Sequence, residues 1–128
     1  MSVAAVAALL LCVLLAALAV FQLALIAGAP LGRYAWGGAD RVLPRRRRSA
    51  GALAIVLYVV FALVFLAEAG VVPSVLPDWA LTVLAWVIVA YLALGTVMNA
   101  LSRSPRERWV MTPVSAALTV LGLLTIVG

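Results

Sequence analysis

Histidine and lysine are both absent from this 128-residue chain, and cysteine occurs once, as Cys12. Without histidine the usual general base near neutral pH is missing, and so is the commonest metal ligand. One thiol builds neither an intrachain disulfide nor a cysteine metal site, so Cys12 reads as a packing or lipid-facing residue. Acidic residues number only four: Asp40, Glu68, Asp78 and Glu107. The phosphate-loop pattern G-x-x-x-x-G-K-[ST] is missing as well. With no nucleophile beside a base and no set of metal ligands, the chain reads as a non-enzyme with no catalytic residues, no cofactor and no metal.

Charge of either sign is scarce: 10% of residues are charged, while 68% are hydrophobic. A soluble domain carries about a quarter charged residues and about half apolar ones. A chain this short holds one domain. Its few charges, clustered between apolar runs, cannot coat that domain against water. The solvent for most side chains is therefore expected to be lipid.

What is present is a set of four apolar runs, 3–27, 50–70, 79–98 and 109–127, each near the about 20 residues a spanning helix needs. The first would reach roughly 37 Å at 1.5 Å per residue, so it should tilt. Its start, MSVAAV, carries no positive charge and its apolar run is too long for a cleaved signal peptide, so it reads as a retained helix. The expected fold class is all-α, a membrane four-helix bundle of two antiparallel hairpins forming one domain.

Arginine sets the expected orientation. Segment 28–49 holds Arg33, Arg41, Arg45, Arg46, Arg47 and Arg48 against Asp40, and segment 99–108 holds Arg103, Arg106 and Arg108 against Glu107. The connection 71–78, with Glu68 just before it and Asp78 at its end, has no basic residue. The positive-inside rule then makes 28–49 and 99–108 cytoplasmic. Both termini and the 71–78 loop lie outside, in a multi-pass protein of the cytoplasmic membrane with a long basic inner loop between helices 1 and 2.

Local chemistry supports these limits. Asp78 in PDWA is expected to N-cap the third helix, with Trp79 in the outer aromatic belt. SPRERW fits a capping box, with Ser104 at N-cap, Pro105 at N1 and Glu107 at N3. Pro113 should kink the fourth helix. Helices in lipid associate through small residues and interhelical hydrogen bonds. Ala4 with Ala8, Ala16 with Ala24, and Ser115 with Thr119 near Gly122 supply candidate small-residue faces. Gln22, Thr82, Thr96, Asn99 and Thr112 are expected to face inward, either to bond between helices or to line a polar cavity open to the cytoplasm.

Three further features bear on function. Glu68 lies roughly 26 Å along the helix from Gly51, so it reads as an interfacial residue or, alternatively, a coupling carboxylate. Arg45 to Arg48 read as a topology anchor or as a contact for anionic inner-leaflet lipid, each arginine contributing about 1 kcal/mol there. Lacking aromatics at base-stacking spacing, the run does not point to nucleic acid. GAPLGRYAWGG would lay the Tyr34 and Trp36 rings on one side if extended, as a packed cap under the bundle or a lid over a small site.

These segments resemble a group of small bacterial four-span integral membrane proteins of uncharacterised function. The likeness rests on Gly28, Ala29, Pro30 and Gly32; on Trp36, Gly37 and Gly38; on Leu43 and Pro44; and on Arg48 and Ser49. It extends to Asn99, Ser102, Ser104, Glu107, Arg108 and, in the fourth span, Pro113. The resemblance implies four spans and no particular activity, and the denser arginine run departs from it.

Both motif-bearing segments fall on the expected cytoplasmic face. The candidate inner-face site is therefore Gly28, Pro30, Gly32, Tyr34, Trp36, Gly37, Gly38, Asn99, Ser104, Glu107 and Arg108. In it Glu107 is expected to pair with an arginine of the first loop, and Trp36 to cover the junction. The leading functional reading is a small interaction or accessory subunit, or a lipid-contacting scaffold. Its partners would be the bilayer, a membrane protein or a second copy. The alternative is an oligomeric small-solute transporter or channel with a cytoplasm-facing polar site. Small multidrug transporters are similar in size and span number, but they rely on a carboxylate within the first span, and none is present here.

Overall fold

Four long helices follow the four apolar runs: α1 (Val3–Ile26), α2 (Arg45–Glu68), α3 (Asp78–Ala100) and α4 (Pro105–Val127). The structure, a computed structural model, describes all 128 residues and contains no strand. Each of the four helices is long and apolar enough to cross a membrane. Two short 3₁₀ turns, Gly32–Tyr34 and Trp36–Gly38, interrupt the segment between α1 and α2.

The helix ends have local causes. Ser2 caps α1, its hydroxyl accepting the Ala5 N–H at 3.1 Å. At the other end Gly28 adopts φ +92, and the Ala29 and Gly28 N–H groups bond back to the carbonyls of Ala24 and Leu25. This is a Schellman closure, which needs a residue free to enter the left-handed region. It ends α1 just before Pro30.

Two starts differ from expectation. α2 begins at Arg45 rather than Ala50, so Arg45 to Arg48 form its first turn and are not part of a loop. Arginine is a good helix former, and Pro44 precedes it in extended conformation as the cap residue. In α3 the cap position belongs to Pro77, whose carbonyl accepts the Leu81 N–H at 3.0 Å; Asp78 is the first helical residue and no N-cap. Its carboxylate nonetheless sits in the first turn, where the helix dipole favours it. α4 starts at Pro105 behind the Ser104 cap and continues through Pro113 to Val127 as one helix.

The helices pack as a ring in which α1 lies against α2 and α4, and α3 against α4, with α2 and α3 in looser contact. The main buried cluster occupies one half of the bundle, and Leu25 and Leu43 are buried apart from it. Leu11 and Leu15 of α1, Phe61 and Phe65 of α2, Ala85 and Ile88 of α3 and Leu118 of α4 belong to it. All lie in the middle of the bundle or toward the end away from the arginine-bearing segments. Gly122 admits the close approach: a Cβ there would stand 3.0 Å from Val89 Cγ2 and 3.2 Å from Phe65 Cζ. In α1 the buried positions are Ala5, Ala7, Ala8, Leu11, Leu15, Gln22 and Leu25. The expected Ala16 and Ala24 face is therefore not the packing stripe, because Ala16 is exposed and Ala24 half-buried. Spacing of three and four residues from Ala8 fixes the stripe instead.

Polar side chains tie the helices where carbon packing thins. Asn99 Nδ2 donates to Ser115 Oγ at 3.0 Å and to the Met111 carbonyl at 3.3 Å. The Thr96 and Thr119 hydroxyls meet at 3.4 Å. Ser115, Thr119 and Gly122 thus all face inward on α4, as their spacing predicts. At the far end of α2, Glu68 accepts the Thr82 hydroxyl through both oxygens, at 2.8 and 3.1 Å. It is half-buried at the last helical residue and ties α2 to α3.

Candidate functional site

The half of the bundle nearer the arginines is hollow. A cavity of about 850 Å³ is lined by residues from all four helices and from the segment between α1 and α2. Its walls are Leu18 and Phe21 of α1, Ala54 and Tyr58 of α2, Leu92, Gly95 and Met98 of α3, and Val114 and Leu118 of α4. Polar groups gather toward the arginine end: Gln22, Tyr34, Arg47, Asn99, Ser102, Glu107 and Ser115.

The roof is built by the 27–44 segment. Leu43 is fully buried and anchors it. The Gly32 N–H donates to the Arg41 carbonyl at 2.8 Å, so the segment folds back on itself. A side chain at Gly32 would overlap the Asp40 and Arg41 backbone. Tyr34 and Trp36 are not extended; they belong to the two successive 3₁₀ turns, separated by extended Ala35. Even so, both rings line the cavity. Trp36, Gly37 and Gly38 all have positive φ, at 53, 72 and 72°, a strained setting for a tryptophan.

This turn is clipped to the start of α4. The Gly37 N–H donates to the Glu107 carboxylate at 2.8 Å. The Ser104 hydroxyl donates to the Arg33 carbonyl, and the Arg33 guanidinium donates to the Gly38 carbonyl. Gly38 lies so close to the Ser104 side chain that an added Cβ would overlap it. Glu107 is 8% exposed, while Gly37 at the donor end of the bond is exposed.

The pairing expected between Glu107 and a first-loop arginine is thus replaced by a carboxylate-to-backbone bond. Ser102 explains the change. Its hydroxyl accepts the Ser104 N–H at 3.2 Å, the donor that a complete capping box would give to the N3 glutamate. Glu107 is released from that task and reaches the roof. Ser104 keeps its half of the box, accepting the Glu107 N–H at 3.4 Å.

The remaining sequence-selected residues separate into two groups. Tyr34, Trp36, Gly37, Asn99 and Glu107 meet at the cavity, while Gly32, Gly38 and Ser104 hold its roof. Arg108 bonds the Ser102 carbonyl at 3.1 Å and stacks near Trp109. Gly28 is the α1 terminator and Pro30 is exposed beyond it, so neither lines the site. Arg45 and Arg46 are exposed; Arg48 Nε bonds the Leu43 carbonyl at 3.0 Å. Arg47 alone of the four lines the cavity, its guanidinium 5.6 Å from the Trp36 ring centroid. Glu68 is at the opposite end of the bundle. Tyr58 and Tyr91, which sequence reasoning passed over, also line the cavity; a tyrosine in the middle of an apolar run is the signal that was there to read.

The cavity opens sideways between α2 and α3. Phe61 and Tyr91 meet edge to face at 5.7 Å and mark where the two helices touch. Nearer the arginines, nothing stands within 4 Å of a Cβ built on Gly95, and Leu94 and Met98 are mostly exposed. Gln22 Oε1, beside Gly51, and Thr112 Oγ1 are buried without a partner.

Compared with protein-family models, with curated proteins and with solved structures, the chain matches none.

Proposed function

We propose that this chain is a lipid-contacting scaffold of the cytoplasmic membrane, which holds one amphiphilic molecule in its half-hollow interior. In this reading the four helices form two antiparallel hairpins. The arginine-bearing end faces the cytoplasm and both termini face outward, as the positive-inside rule requires. The chain would belong with the small four-span proteins that its loop motifs resemble, and it performs no catalysis.

One observation carries the reading: the cavity has an apolar body, a polar end, and a side opening between two apolar helices, beside which acyl chains would lie. Its volume of about 850 Å³ is within the about 300–1,000 Å³ typical of pockets for one small ligand. The side opening lies between helices whose neighbouring surfaces are apolar, so a lipid can enter without crossing water. The bonded roof shuts the polar end.

A second reading, transport of a small solute, draws on Gln22, Asn99, Ser115 and Glu107 around the same space. It requires a continuous path, and Leu118 in the cavity floor, with Leu11 and Phe65 beyond it, is fully buried. Binding without passage is the simpler use of this geometry.

Native mass spectrometry of the detergent-purified chain tests the binding. The wild type is expected to carry one lipid molecule. Gly95→Trp, which places a large ring in the side opening, is expected to carry none while remaining folded. A wild type that retains no lipid sinks the reading.

A further inference from the structure

The arginine end of the bundle carries an excess of positive charge, and one of its guanidinium groups faces the cavity without a carboxylate partner. Of the side chains lining the space, one is cationic, Arg47, and one is anionic, Glu107. The Glu107 carboxylate is committed to the Gly37 N–H. Arg33, Arg48 and Arg108 each donate to backbone carbonyls. The Arg47 guanidinium donates to nothing in the protein. It lies over the Trp36 ring, which fixes its orientation and leaves its N–H groups directed elsewhere. Stacking on an aromatic face is compatible with in-plane donation to a phosphate or carboxylate, the geometry for which arginine is suited.

The backbone adds to the same excess. The first turn of α2 contains four arginines and no acidic residue, and no side chain caps it. A helix start is the positive end of its dipole, so cations there are unfavourably placed. An anion arriving from outside relieves both the dipole and the clustered guanidinium charge. Exposed Arg45 and Arg46 face outward, whereas Arg47 faces the cavity, so only an anion at the polar end of the cavity meets a positioned donor.

Resting on the lipid-binding reading above, we propose that the cavity selects anionic phospholipid, with the Arg47 guanidinium holding the headgroup phosphate beside Trp36 and Tyr34. The acyl chain lies along the opening between α2 and α3, against Tyr58, Gly95 and Met98. The source of the anion is the surrounding bilayer leaflet, because the opening is lateral and the roof is bonded shut toward the arginine end.

The test uses the full chain reconstituted into vesicles of equimolar phosphatidylglycerol and phosphatidylcholine, re-extracted, and read by native mass spectrometry. The wild type is expected to retain one lipid, with phosphatidylglycerol favoured at least roughly fivefold, the lower limit of a typical coupling between two bound groups. Arg47→Gln is expected to retain one lipid with the preference reduced to near unity. Arg47→Lys, which keeps the charge, is expected to restore part of it. The double variant Arg45→Gln with Arg46→Gln is expected to keep the wild-type preference. An unchanged preference in Arg47→Gln overturns the assignment, as does an equal loss in the double variant, which would mean general surface attraction. A wild type that retains one lipid without headgroup preference overturns the anionic selectivity and leaves the binding reading standing. A wild type that retains none removes both.

Discussion

The Glu107 carboxylate accepts the Gly37 N–H at 2.8 Å across seventy positions of sequence, joining the start of α4 to the turn that roofs the cavity. A hydrogen bond to a charged group contributes about 1.5–3 kcal/mol when buried, and the exposure of Gly37 places this one toward or below the lower end of that range. Glu107→Ala is therefore expected to lower the thermal midpoint in detergent, with Glu107→Gln closer to wild type because its amide oxygen still accepts. Equal midpoints for wild type and Glu107→Ala would show that the clip contributes nothing.

Gly37 and Gly38 offer a matched comparison. Both have φ of 72°, so alanine at either costs about 1–2 kcal/mol of backbone strain. Only at Gly38 does the new methyl meet an obstacle, the Ser104 side chain; at Gly37 it enters open space. Gly38→Ala is expected to destabilise more than Gly37→Ala, and to make the arginines of the roof segment faster to cleave with trypsin. Equal cleavage rates in the two variants would contradict the contact.

At the far end, Thr82 donates to Glu68. Thr82→Val removes the donor and leaves the carboxylate beside an apolar wall. Its expected cost is about 1.5–3 kcal/mol, the range for hydrogen bonds to charged groups. Glu68→Gln keeps an acceptor oxygen and is expected to cost less than Thr82→Val. A larger loss for Glu68→Gln, read as the thermal midpoint, would give the negative charge a role that this geometry does not supply.

Orientation has a direct chemical check. In a Cys12→Ala background, Arg46→Cys and Asp78→Cys both place a thiol at exposed positions. A membrane-impermeant maleimide applied to intact cells is expected to label the residue at 78 and spare the one at 46. Labelling of both from one side would overturn the up-and-down arrangement.

The span positions were legible because long apolar runs act locally; the Schellman closure at Gly28, which ends α1, was not read in advance. Nor was the start of α2, since hydropathy reports only the apolar part of a helix and arginine continues a helix as readily as leucine does. The meeting of the two motif-bearing segments was anticipated from charge distribution. Its bond was not, because charge counting matches carboxylates to guanidinium groups and takes no account of backbone donors. What redirected Glu107 was Ser102, whose hydroxyl bonds the amide that a capping box would have used. The cavity is a property of which halves interdigitate. Gln22 and Asn99 hinted at it from their depth, whereas Thr112, read the same way, does not line it; the floor formed by Phe61, Leu92 and Leu118 depends on packing that no single helix displays.

Uneven packing gives the bundle a built-in fulcrum. Beyond the Phe61–Tyr91 contact the side chains are locked together, and close-packed interiors resist deformation. On the other side of that contact α2 and α3 share little, so they can spread or pinch without disturbing a single core neighbour. The molecule is therefore stiff at one surface and compliant at the other, like a clothes-peg whose spring is the Leu11–Phe65–Leu118 cluster.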